Sequence, residues 1–136
     1  MMKLDEIGTR ARQAEPVLRI METEKKNRVL KKAAENLVAD AETIIAANAL
    51  DMEHGKAKGM SQGLLDRLFL DKSRIEAMAE GMCQVSELDD PIGEVLGMKK
   101  RPNGLLIGQK RVPLGVVGII YEARPNVTAD AFALCF

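Results

Sequence analysis

The residues best suited to chemistry lie in one short stretch, Tyr121-Glu122-Ala123-Arg124-Pro125-Asn126-Val127-Thr128. It directly follows Gly115 to Ile120 (GVVGII), an unbroken apolar run rich in β-branched residues, which is the pattern of a parallel strand covered on both faces. Ligands of open α/β sheets bind just outside the carboxyl ends of the strands, so residues 121–128 are where a site is expected. Pro125 keeps Arg124 out of the helical region, so the chain turns there. Thr128 can cap a helix that carries Asp130 in its first turn and runs on through Ala131, Phe132, Ala133 and Leu134. An ordinary βα turn, with polar residues that only cap, would show the same pattern. The pattern alone leaves both readings open.

Other reactive side chains offer less. Cys83 falls on the apolar side of a helix and Cys135 in a terminal apolar run, so both read as buried packing cysteines. His54 is the only histidine and sits near a helix end, which excludes a histidine-rich metal site and suggests a solvated group. Gly115-Val-Val-Gly118 is no Walker loop and lacks the third glycine of a dinucleotide fingerprint. No metal signature is present.

The elements that must position residues 121–128 are helices first and strands last. Leu4, Ile7, Ala11, Ala14 and Leu18 follow helical spacing, with Pro16 predicting a kink or break after Glu15. Thr23 can cap a second helix whose buried stripe is Leu30, Ala33, Ala34 and Leu37. A third, over about 41–57, places Ile45, Ala49 and Met52 on one face and ends at Gly59. Ser61 opens a short turn carrying Leu64, Leu65 and Leu68. Asp71 or Ser73 then caps a helix with Ile75, Met78, Met82 and Val85 facing inward.

Asp89-Asp90-Pro91 breaks the helical region. Val95 to Arg101 and Leu105 to Val112 are two extended runs joined by Pro102-Asn103-Gly104, and Asn-Gly is a strong hairpin signal. Lys99, Lys100, Arg101, Lys110 and Arg111 make the hairpin ends basic, as charges do where they keep strand edges soluble. Twenty basic and twenty acidic residues balance to zero net charge, and one tyrosine with no tryptophan leaves little to stack on bases, so no nucleic-acid partner is expected. The first residues lack the apolar core of a signal peptide and no run approaches a membrane span. With two cysteines far apart, a reducing, cytoplasmic location and no membrane partner are expected. The last residues, Ala131 to Phe136, form an apolar helix start without a terminator, so the chain is expected to be cut inside an element.

VPLGVVGIIYEARPNVTADAFALC resembles the signature of the γ-glutamyl phosphate reductases, members of the aldehyde dehydrogenase superfamily. ETEKKNRVLKKAAENL, IIAANALDME, GMSQGLLDRLFLDKSRIEAMAEGMCQV, DPIGEVLG and RPNGLLIGQKRVPLG are similar to consecutive parts of the same family's amino-terminal region, so the resemblance covers essentially the whole chain. It implies a truncated α/β fold: helices over 1–94 from the cofactor-binding domain, a β-hairpin over 95–112 from the oligomerisation region, and over 113–136 the first strand, active-site loop and helix start of a Rossmann-like dinucleotide-binding domain.

The resemblance also implies chemistry. A cysteine thiolate attacks the acyl phosphate of L-glutamyl 5-phosphate, and NADPH reduces the resulting thioester to L-glutamate 5-semialdehyde, a step of proline biosynthesis. The superfamily's oxyanion donor is an asparagine after the first cofactor-binding strand, and Asn126 occupies the matching position; its other reading is an Asx-type turn residue. Glu122, Ala123, Arg124 and Pro125 match the loop that lies against the nicotinamide end of NADP. The planar fork of Arg124 also suits a substrate carboxylate or phosphate. Neither Cys83 nor Cys135 matches the family nucleophile, so the chain alone is expected to be inactive. The implied partners are a small-molecule substrate, further copies in a homo-oligomer, and the glutamate 5-kinase that supplies the labile substrate. A binding or assembly module acting through the hairpin and helices remains the alternative. An aldehyde dehydrogenase of other specificity is disfavoured, since YEARPNV replaces the usual Pro-Trp-Asn.

Overall fold

The computed structural model describes residues 3–122 and 124–136. Six helices and one two-stranded antiparallel sheet are present among them: α1 (Leu4–Arg19), α2 (Thr23–Ala39), α3 (Ala41–Ala57), α4 (Gln62–Leu68), α5 (Lys72–Val85), β1 (Val95–Lys100), β2 (Leu106–Lys110) and α6 (Pro125–Cys135). The chain divides into two compact units, one made of the residues up to 21 with 89–117, the other of 22–88 with 118–136.

The second unit holds the core. The predicted stripe of α2 turns Leu30 and Ala34 inward, and α5 contributes Met78, Ala79 and Met82 with a fully buried Ile75. Ala129 and Ala133 of α6 and Leu70 complete the cluster, and Ala33, Leu37, Cys83 and Val85 pack around it. Helix α3 closes as expected at Gly59. The Met60 amide donates to the Gly55 carbonyl at 3.0 Å and the Gly59 amide to that of Lys56 at 3.0 Å, the paired bonds of a Schellman end. The buried face of α3 is not wholly apolar, since Asn48 lies in it.

In the first unit α1 buries no residue and runs through Pro16 without the expected break. Because the helix is exposed, the carbonyl that loses its proline donor is left to water rather than to a dry interior. The hairpin forms over the expected segments, but its turn is not the Asn-Gly type in which both residues take positive φ. Pro102 is locked at negative φ, no described residue other than glycine has positive φ, and Gly104 alone takes φ 87°. The Gly104 amide donates to the Arg101 carbonyl at 2.9 Å and the Arg101 amide to that of Leu105 at 2.8 Å. This is a type I turn followed by a glycine bulge. Leu96 adds a second irregularity, between the pairs Val95–Lys110 and Gly97–Gln109.

The run at 115–120 forms no strand. A strand exists by its ladder, and among the described residues only β1 and β2 pair. Gly115 has φ 89°, outside the strand region, and Ile120 is wholly exposed. Helix α6 also begins earlier than expected. Pro125 is its first residue and the extended Arg124 its N-cap, so Thr128 lies inside the helix. A proline at the first helical position loses nothing, because that amide has no intrahelical acceptor. Thr23 is likewise the first residue of α2, with Glu22 at the cap. Cys135 is exposed rather than buried. No helix among the described residues is long and apolar enough to cross a membrane.

Candidate functional site

The firmest part of the site is the bend between α4 and α5. Asn48 reaches it from α3, its amide donating to the Leu68 carbonyl at 2.7 Å while its oxygen accepts from the Leu70 amide at 2.8 Å. One buried side chain thus satisfies two of the main-chain groups that the bend would strand. Asp71 then starts α5, its carboxylate accepting from the Arg74 amide at 2.8 Å and from the Ser73 hydroxyl at 3.0 Å. The Arg74 amide, and after it the Ser73 hydroxyl, hold the Asp71 carboxyl below the ordinary 3.8. Of the two caps the sequence allowed, Asp71 is the one used. Arg74 turns back over the bend. Its guanidinium donates to the main-chain carbonyls of Asp66 and Phe69 and to the Asp66 carboxylate at 2.9 Å, and stacks over the Phe69 ring at 5.4 Å.

The start of α6 faces this bend. The Tyr121 and Thr128 hydroxyls are 2.8 Å apart and join the two ends of the 121–128 segment. The Arg124 amide donates to the Glu122 carbonyl at 2.7 Å, and the Glu122 carboxylate lies 3.8 Å from the Arg67 guanidinium. Between the two walls is an open cavity of about 460 Å³, bordered by Asp66, Arg67, Phe69, Arg74, Arg124 and Asn126 and floored by Leu70, Ala77 and Met78. Asn126 is the second residue of α6 and donates its amide to the Asp130 carboxylate at 3.2 Å. Arg124 has no acceptor for its guanidinium among the described residues. Pro125 is half-buried at the helix start, Glu122 is exposed, and Ala123 lies outside the described residues.

Known proteins of similar sequence and fold show what the chain resembles. No family model matches the chain. It is 57% identical over 136 residues to the γ-glutamyl phosphate reductase of Lachnospira eligens, covering all of this chain and 33% of that protein. It is 58% identical to that of Clostridium tetani, covering 94% of this chain and 30% of that protein. The crystal structure of the reductase from Thermotoga maritima superposes with a TM-score of 0.93 at 41% identity, over 98% of this chain and 32% of that one. That from Saccharomyces cerevisiae gives 0.89 at 35% identity, over 98% of this chain and 34% of that one. In sequence and fold the chain is similar to the amino-terminal part of γ-glutamyl phosphate reductases. It spans about a third of the length of the curated relatives it matches.

Within this segment the structure brings Arg124 and Asn126 to one cavity and sets Glu122 beside it, facing Arg67. The opposite wall, built by Asp66, Arg67, Phe69 and Arg74, was not singled out from sequence. Its only local signal is the charge pattern of DRLFLDKSR, in which Asp66, Arg67, Asp71 and Arg74 flank an apolar triplet. Such a pattern reads equally as a solvated helix end. Asn48 gave no signal, because apolar periodicity passes over a polar residue on a buried face.

Proposed function

We propose that this chain supplies the first part of an NADPH-dependent reductase that converts L-glutamyl 5-phosphate to L-glutamate 5-semialdehyde in proline biosynthesis. The observation that supports it is the cavity between the α4–α5 bend and the start of α6, with an amide on its rim and a guanidinium that has no acceptor among the described residues, in a chain similar over its own length to part of γ-glutamyl phosphate reductases. The reaction class is attack of a cysteine thiolate, from outside this chain, on an acyl phosphate, with loss of phosphate and reduction of the thioester.

Asn126 is the proposed oxyanion donor. Its amide stands at the cavity rim on the first turn of a helix, and its present acceptor is the side chain of Asp130 at 3.2 Å, an exposed contact that can be given up at small cost. Its place inside α6, with its amide directed to Asp130, supports that role over an Asx-type turn. The residues present also fit a phosphate-bearing dinucleotide, since Arg124 offers unused donors beside apolar groups from Phe69, Leu70 and Met78. Glu122, Ala123, Arg124 and Pro125 would lie against the nicotinamide end of NADP, which when bound supplies the hydride. The chain's own part is to orient the carbonyl through Asn126 and to hold the loop closed through the Tyr121–Thr128 contact.

The test uses the full-length polypeptide that carries this segment. Asn126→Ala should lower kcat about 10²–10³-fold with NADPH affinity nearly unchanged, the result expected on removing one oxyanion donor. Loss of stability with the rate retained would show that Asn126 serves the fold instead.

A further inference from the structure

Three arginines border the cavity, and they differ in what is left for a ligand. Arg74 is occupied: its guanidinium holds two main-chain carbonyls and the Asp66 carboxylate and covers the Phe69 ring, so it builds the wall. Arg67 is loosely engaged, 3.8 Å from the Glu122 carboxylate, beyond hydrogen-bond length, with both side chains more than half exposed. An exposed pair at that separation contributes little and can be exchanged for a ligand at small cost. Arg124 lies two residues before Asn126, on the wall from which the amide donor comes.

Resting on the function proposed above, we propose that Arg67 determines specificity by binding the α-carboxylate of the γ-glutamyl substrate, with Glu122 receiving its α-ammonium. An α-amino acid carries a positive and a negative group on one carbon. Arg67 and Glu122 present the complementary pair of charges side by side, and each is the other's placeholder while no substrate is bound. The position along the substrate agrees. The reacting carbonyl belongs with Asn126 at the start of α6, whereas the α-carboxylate is separated from that carbonyl by the side-chain carbons and needs an anchor on another wall. Arg67, on α4, is the cation there with donors to spare. The main chain of residues 122–125 and the Glu122 side chain have separate tasks, the first toward the cofactor and the second toward Arg67.

The test runs the reaction of the full-length polypeptide in the oxidative direction, with NADP and inorganic phosphate, on L-glutamate 5-semialdehyde and on 4-aminobutanal, which lacks only the α-carboxylate. Arg67→Ala should raise KM for the semialdehyde about 10- to 100-fold, the worth of a hydrogen-bonded charge, with kcat little changed. Activity on 4-aminobutanal and KM for phosphate should stay as they were, and Arg67→Lys should restore part of the loss. Equal losses on both aldehydes, or a raised KM for phosphate in place of the semialdehyde, would overturn the assignment. Arg67 is half exposed and its replacement does not threaten folding; Glu122→Gln, which should weaken binding of the semialdehyde but not of phosphate, gives a second reading on the same question. If the unsubstituted polypeptide oxidises neither aldehyde, the proposed reductase function itself fails, and with it the specificity assignment.

Discussion

Replacing Asn48 by alanine should cost more than any surface change in this chain. The residue is 5% exposed and its side chain makes two hydrogen bonds, at 2.7 Å to the Leu68 carbonyl and 2.8 Å from the Leu70 amide. Their net worth is about 1 kcal/mol each, and the larger effect is that the Leu70 amide, in a buried residue, is left with no acceptor at about 1–3 kcal/mol. Together the loss should be about 2–4 kcal/mol, a large fraction of the stability of an ordinary domain. Urea unfolding followed by far-ultraviolet circular dichroism measures it, and hydrogen exchange at Leu70 locates it. Asn48→Asp separates the two bonds. It keeps the acceptor for Leu70 but sets a carboxylate against the Leu68 carbonyl, so its folded pKa must rise. A raised folded pKa contributes stability that is present below the unfolded value and lost as pH rises through the folded one, so this variant should come closest to wild type in acid. A loss below about 1 kcal/mol for Asn48→Ala, with Leu70 as protected as before, would refute the clamp.

Asp71 is held below its ordinary 3.8, so its contribution is present above that value and lost as pH falls through the lower folded pKa; the stability gap between wild type and Asp71→Asn should therefore close in acid, as thermal melts across that range will show. The chain on its own should self-associate, because Leu114 is 93% exposed and Ile120 entirely so, with Val116, Val117 and Ile119 about half exposed between them. Light scattering over a dilution series checks this, and a single monomer mass at every concentration without binding of a hydrophobic dye would contradict it.

What was legible in the sequence is what local rules decide. Leu30 and Ala34, and Ile75, Met78 and Met82, repeat at helical spacing and are the residues that pack, and Gly59 ends a helix because its neighbours cannot easily take φ 74°. Where two local signals competed, the stiffer one prevailed. Pro125 fixed the start of α6 ahead of Thr128, and Pro102 fixed the turn ahead of Asn103-Gly104. What stayed hidden depends on distant chain. GVVGII has strand composition, yet composition supplies no partner. Arg67 and Glu122 are 55 residues apart in sequence and meet only because α5 packs on α6.

That packing explains why the cavity exists. The faces of α6 that meet the core are Ala129 and Ala133, whose small side chains let the helix approach α5 closely. The approach carries the first turn of α6, with Asn126 and the extended Arg124 before it, up to the wall built by the α4–α5 bend. That wall is set from the other side by Asn48 and Arg74, which between them satisfy the Leu68 and Phe69 carbonyls and the Leu70 amide. A site assembled this way separates two demands. The walls are fixed by buried or fully engaged groups, while the side chains proposed to meet a ligand, Arg67, Glu122, Arg124 and Asn126, are exposed and only lightly held, so a turn toward a substrate would not unfold what carries them.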